Sequence, residues 1–117
     1  MSNTDDRKFI IDDVIEEEKS RNRELRDALS REFDELPKGS LVIREVDGRK
    51  YCYLRYREGK KVITKYAGTW RKIDEIKDMI DRRRGLADEI KNLDDEFEKI
   101  EKVESVLGKS EEEARQH

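Results

Sequence analysis

The chain has 117 residues, 49% of them charged, with 27 Lys and Arg against 30 Asp and Glu for a net charge of −3. Leu, Ile, Val and Phe supply 27 of those residues, enough at so low a net charge to fold around a thin core and too few for a large α/β enzyme core. No apolar run reaches the ~20 residues that span a bilayer and the first residues lead into acids rather than into a signal-peptide core, so a cytoplasmic protein is expected.

The first element is a helix over 5–36. Its apolar positions, Phe9, Ile10, Ile11, Val14 and Ile15, then Leu25, Ala28, Leu29, Phe33 and Leu36, fall mostly at three- and four-residue steps. Thr4 with Asp5 and Asp6 suits a helix start, and Pro37 disfavours helical geometry at Leu36. Glu18 and Asn22 break the apolar seam, so the middle of this helix is expected to be loose or exposed.

After Pro37 the period changes to alternation, and three strands are expected over 41–46, 49–57 and 61–66. Asp47-Gly48 is a strong two-residue hairpin signal, because both positions tolerate positive φ. The turn near Glu58-Gly59 is open between two forms. A two-residue turn places Ile63 on the apolar face; a three-residue loop places Val62, Thr64 and Tyr66 there instead.

A second helix is expected over 70–107, about 55 Å long at 1.5 Å per residue, with Thr69 as N-cap, Gly108 as stop and a frayed tail over 108–117. Ile73, Ile76, Met79 and Ile80 are placed to cover the sheet. Beyond Gly85, the seam of Leu86, Ile90, Leu93, Phe97, Ile100, Val103 and Leu107 should run antiparallel to the first helix. The fold class is therefore α+β: a three-stranded antiparallel meander between two long helices that form a coiled-coil-like hairpin, all in a single domain.

Charge is distributed unevenly over this plan. Residues 1–37 hold seven basic and twelve acidic residues (−5), residues 38–72 eleven and three (+8), and residues 73–117 nine and fifteen (−6). A basic sheet thus sits between acidic helical arms. Pairing across the Asp47-Gly48 turn sorts Leu41, Ile43, Cys52, Leu54 and Tyr56 onto one face and Val42, Arg44, Arg49, Tyr51, Tyr53, Arg55 and Arg57 onto the other. Guanidinium groups can neutralise phosphates and flat rings can stack on bases. Arg44, Arg49, Tyr51, Tyr53, Arg55, Arg57, Lys60 and Lys61 are accordingly the candidate nucleic-acid-binding residues. The plainer reading is a sheet face solubilised by Arg, with Tyr chosen for β-propensity.

Other groups point to less. Arg82-Arg83-Arg84 cannot all face one ligand from a helix and read as a solvated turn paired with Asp78, Asp81 and Asp88. Cys52 has no nearby His to activate it and reads as a packing residue. The sequence holds no phosphate-binding Gly loop, zinc-ligand cluster or serine-nucleophile motif; no catalytic residue, metal or cofactor is expected. The clean seam of Leu86, Ile90, Leu93, Phe97 and Ile100 predicts a homo-oligomer built through the helices.

The stretch Leu36-Pro37-Lys38-Gly39-Ser40-Leu41, then Tyr51 to Val62 (YCYLRYREGKKV), closing at Tyr66-Ala67-Gly68, resembles a functionally uncharacterised family of small prokaryotic proteins that carry this block between helical arms. That resemblance implies the fold plan and no activity. More distantly, three strands followed by a helix look like the sheet-type DNA-binding arm domains of phage-type integrases, whose recombinase domain has no counterpart here. The expected function is non-enzymatic nucleic-acid binding, with DNA as the target. The alternative is an assembly factor that works through its acidic helices, resembling prefoldin-like chaperones, or an inhibitor whose helices imitate nucleic acid.

Overall fold

The computed structural model describes the backbone of residues 4–116 and the side chains of residues 10–108. Helix α1 (Thr4–Glu35) leads into strands β1 (Ser40–Val46), β2 (Arg49–Glu58) and β3 (Lys61–Thr69); a 3₁₀ turn (Trp70–Lys72) then opens helix α2 (Ile73–Gln116). The expected α+β plan is the observed one. The chain forms two compact units, one of Arg31–Asp88 and one that gathers α1 up to Ser30 with α2 from Glu89 onward. Among the described residues no helix is long and apolar enough to cross a membrane.

In the unit of Arg31–Asp88, the sheet order is β1-β2-β3, antiparallel throughout. Asp47 and Gly48 take φ of 51° and 76°, as the tight hairpin requires, and set Val46 opposite Arg49 and Leu41 opposite Leu54. The second turn is the two-residue form: Glu58 faces Lys61 and Tyr56 faces Ile63, so Ile63 joins the apolar side. β3 is longer than expected. It continues past Tyr66 because Ala67 forms a bulge, with Tyr53 opposite Tyr66 and Cys52 opposite Gly68.

The apolar side is sealed by α2. Cys52, Leu54, Ile76 and Ile80 form the buried cluster, flanked by Leu41, Ala67, Ile73 and Met79. Gly39 makes the close approach that starts β1: at its φ of 112° an added Cβ would lie 2.5 Å from the Arg55 carbonyl oxygen. α1 ends as expected before Pro37, its last turn closed by the Leu36 N–H donating to the Phe33 carbonyl at 3.2 Å.

The arginine triplet serves this unit. Arg82 donates to both carboxylate oxygens of Glu32 at 2.9 and 3.1 Å, and that bond holds the Glu32 carboxyl below its usual range. Arg83 lies 3.9 Å over the Phe33 ring and donates to the Leu36 carbonyl at 3.5 Å, where a cation complements the end of α1. The partners of Arg82 and Arg83 thus lie on and just past α1, rather than among the neighbouring aspartates of α2 alone.

In the other unit the helices run antiparallel, and the middle of α1 is packed rather than loose. Ile15, Lys19 and Asn22 are buried, and with Arg26 and Leu29 they make a 4-3-4-3 seam in which three positions are polar. Lys19 donates to Glu104 at 2.7 Å, Asn22 to the Leu93 carbonyl at 2.9 Å and Arg26 to Asp94 at 2.9 Å. The bond to Glu104 raises the Lys19 pKa above its ordinary value, with burial opposing it. Lys19, Arg23 and Arg26 also surround the Phe97 ring at 5.9, 5.3 and 4.6 Å.

Both ends of α2 also differ from expectation. Thr69 makes no side-chain cap, and the 3₁₀ turn, not an α-helical turn, follows it. α2 runs through Gly108 to Gln116, because one helical Gly costs only about 1 kcal/mol and Glu111, Glu112, Glu113 and Ala114 favour helix. His117, with the Thr4 side chain expected to cap α1, lies outside the described residues.

Leu54→Ala should lower stability by about 2–5 kcal/mol through a cavity between β2 and α2, read as a lower melting temperature with the helical content retained. Asn22→Leu should act in the opposite direction. The Asn22 Oδ1 is buried without a hydrogen-bond partner, so removing the amide should stabilise the chain by about 1 kcal/mol, and a thermal melt below that of the parent would refute it.

Candidate nucleic-acid interface

Strand alternation decides what the sheet shows to solvent. Residues opposite one another share a face, so Val42, Arg44, Val46, Arg49, Tyr51, Tyr53, Arg55, Arg57, Val62, Thr64 and Tyr66 occupy the side turned away from α2. Four arginines and three tyrosines lie among them, with no carboxylate. The rings are in contact: Tyr66 is 5.7 Å from Tyr53, edge to face, and 6.3 Å from Tyr51. Arg44 lies 5.1 Å over the Tyr53 ring. The four guanidinium-bearing residues are exposed and Tyr51 and Tyr53 half-buried.

The structure thus brings six of the eight candidate residues onto one face. It separates the other two. Lys60 sits in the β2–β3 turn, and Lys61, opposite Glu58, falls by alternation on the α2 side at the exposed end of the sheet.

Two aromatics escaped the sequence reading. Tyr66 depended on the open register of β3, which the two-residue turn resolves. Trp70 was assigned to a helix start, yet it lies in the 3₁₀ turn at the end of β3, 56% exposed. With Arg49, Lys50, Tyr51, Thr69 and Arg71 it lines a cleft of about 390 Å³. The strand expected over 61–66 stops short of Trp70, and only the bulged end of β3 brings this tryptophan next to the sheet.

A larger concavity of about 590 Å³ lies on the covered side, with Leu54, Tyr56, Ile76 and Met79 in its lining and Lys38, Lys65, Arg83 and Asp34 around them. Its mixed signs make it less suited to an anion than the Arg/Tyr face. Among the described residues no three of His, Cys, Asp and Glu converge on a metal position.

Residues 15–70 match the model of a family described as a domain of unknown function (DUF6788). The match takes in most of α1 and the whole sheet and stops at Trp70. No curated protein and no solved structure matches the chain at a significant level.

The residues expected to mediate self-association are placed differently from one another. Leu86 is fully buried within the Arg31–Asp88 unit. Ile90, Leu93, Phe97 and Ile100 are half-buried in the helical unit, where Phe97 is already engaged by cations from α1.

Proposed function

We propose that this chain is a non-enzymatic nucleic-acid-binding protein, with DNA as its target, that uses the Arg/Tyr face of its sheet. The observation that carries the reading is the contacting cluster of Arg44, Tyr53, Tyr66 and Tyr51 on the sheet face turned away from the buried cluster, where the strands place no carboxylate. Cations set among rings combine backbone neutralisation with stacking. The concentration of +8 in residues 38–72 exceeds what solubility asks of a chain whose net charge is −3. A three-stranded sheet backed by a helix also resembles, in plan, the integrase arm domains. We read the protein as cytoplasmic on composition, with one buried free thiol, Cys52, and no disulfide use.

A second reading, an assembly factor that works through its helices, is favoured by one observation. Ile10, Ile11, Val14, Val103 and Val106 are exposed on the helical unit, apolar surface that a second copy or a client could cover. On this proposal the chain forms a homodimer or larger oligomer through the remaining surface of Ile90, Leu93, Phe97 and Ile100, extended by Val103 and Val106.

A mobility-shift assay with duplex DNA, single strands and RNA tests the first reading. Arg55→Ala with Arg57→Ala should weaken binding across sequences and reduce the log–log salt slope by about 2, one per lost phosphate contact. Unchanged affinity of the folded double variant at low salt would mean that the face is only solvated. Sedimentation tests the second feature: an oligomer at high micromolar concentration is expected, weakened by Ile90→Asp and, without touching the half-buried seam, by Val106→Asp. A monomer at that concentration would remove it.

A further inference from the structure

We infer that the cleft beside Trp70 is a stacking subsite for an unpaired base, and that the ligand of the sheet face is therefore single-stranded DNA; the inference rests on the nucleic-acid reading of that face. Trp70 is the only tryptophan in the chain. It is not used by the core: the buried cluster beneath the sheet is made by Cys52, Leu54, Ile76 and Ile80, and the 3₁₀ turn has no buried residue. Its ring is instead left more than half open in a cleft whose charged groups are Arg49, Lys50 and Arg71, with the hydroxyl-bearing Tyr51 and Thr69 beside them. Arg71 lies 5.9 Å from the ring centroid. A flat apolar ring with three cations around it, and no carboxylate in the lining, has the chemistry of a base seated against tryptophan with its phosphates on the rim. The volume of about 390 Å³ lies within the ~300–1,000 Å³ range of pockets that hold small ligands.

Two observations choose the single strand. Tyr51 belongs both to the cleft and to the ring cluster of the sheet face, so a strand lying on Tyr53 and Tyr66 continues to Trp70 over aromatic surface. In a duplex each base is already stacked on both sides, and reaching a ring in a cleft costs unstacking; an unpaired base pays nothing comparable. The sugar is addressed by omission. No carboxylate lines the cleft to accept a charge-assisted hydrogen bond from a 2′-hydroxyl; the neutral acceptors among its side chains are the hydroxyls of Tyr51 and Thr69.

The lone tryptophan makes the test direct. Thymidine oligonucleotides should saturably quench Trp70 fluorescence in the full chain, whereas an abasic oligodeoxynucleotide of equal length, which loses the stacking on every ring, should bind more than about tenfold more weakly without quenching. Trp70→Ala should lose about tenfold in affinity for the thymidine strand and keep its affinity for duplex; Trp70→Phe, which retains a ring, should recover most of the loss. Circular dichroism and a thermal melt check that both variants are folded, as the exposure of the ring leads one to expect. Equal losses for strand and duplex in Trp70→Ala, equal quenching by the abasic strand, or tenfold tighter binding of a uridine oligoribonucleotide would overturn the inference. If Arg55→Ala with Arg57→Ala abolishes binding while Trp70→Ala changes nothing, the subsite falls and the sheet-face reading stands. If the parent chain binds no nucleic acid at low salt, both fall.

Discussion

Sealing one face of the sheet under α2 is the contact on which the arrangement of the candidate site depends. A strand has a period of two, so once Cys52 and Leu54 are buried against Ile76 and Ile80, the residues between and beside them, Tyr51, Tyr53 and Arg55, have no choice but the other face. A slip of one residue in β2 would exchange the two sets and bury arginine. The Asp47-Gly48 turn and the close approach at Gly39 oppose that slip from the two ends of β1. Stability and surface chemistry are thus a single constraint here: whatever weakens the apolar seal also removes the reason for the Arg/Tyr cluster to be where it is.

The helical unit follows a different principle. Its seam on α1 passes through Lys19, Asn22 and Arg26, groups that are costly to bury unless each finds a partner. The partners come from α2, in Glu104, the Leu93 carbonyl, Asp94 and the Phe97 ring. Polar seams of this kind contribute less stability than leucine would, but they penalise a shifted pairing, because a shift leaves several buried donors unmet at once. An amide on a backbone carbonyl and cations on one ring therefore set the register of a hairpin whose apolar content is small.

This division explains what could be read from the sequence. The first two strands, their register and their faces follow from a local turn and strict alternation, and Ile73, Ile76, Met79 and Ile80 follow from the need to cover an apolar face. The middle of α1 was misjudged because the fitness of Lys19 and Asn22 for burial depends on atoms of the other helix, and apolar periodicity in one segment carries no information about them. β3 was cut short for a related reason. Its last residues pair only through the bulge at Ala67, and an inserted residue is invisible to a period of two. Trp70 went unrecognised with it, since its position follows from where β3 ends. Of the candidate face, the arginines and Tyr51 and Tyr53 were legible, while Tyr66 and Trp70 required the register.

The charge distribution adds a consequence for how such a face would work. Screening in physiological salt confines electrostatics to ~8 Å, so a distant polyanion feels little of the sheet's charge, and the net charge of −3 offers it no attraction from afar. The +8 of residues 38–72 is felt only near the sheet. A phosphate backbone would then be held by contact, with little long-range steering, and electrostatic attachment alone would be short-lived at physiological salt. Under that condition the rings carry disproportionate weight, because stacking is insensitive to salt. The aromatic content of the face, three tyrosines in contact and an open tryptophan at its end, is what a site needs when its charge is local and the rest of its chain is acidic.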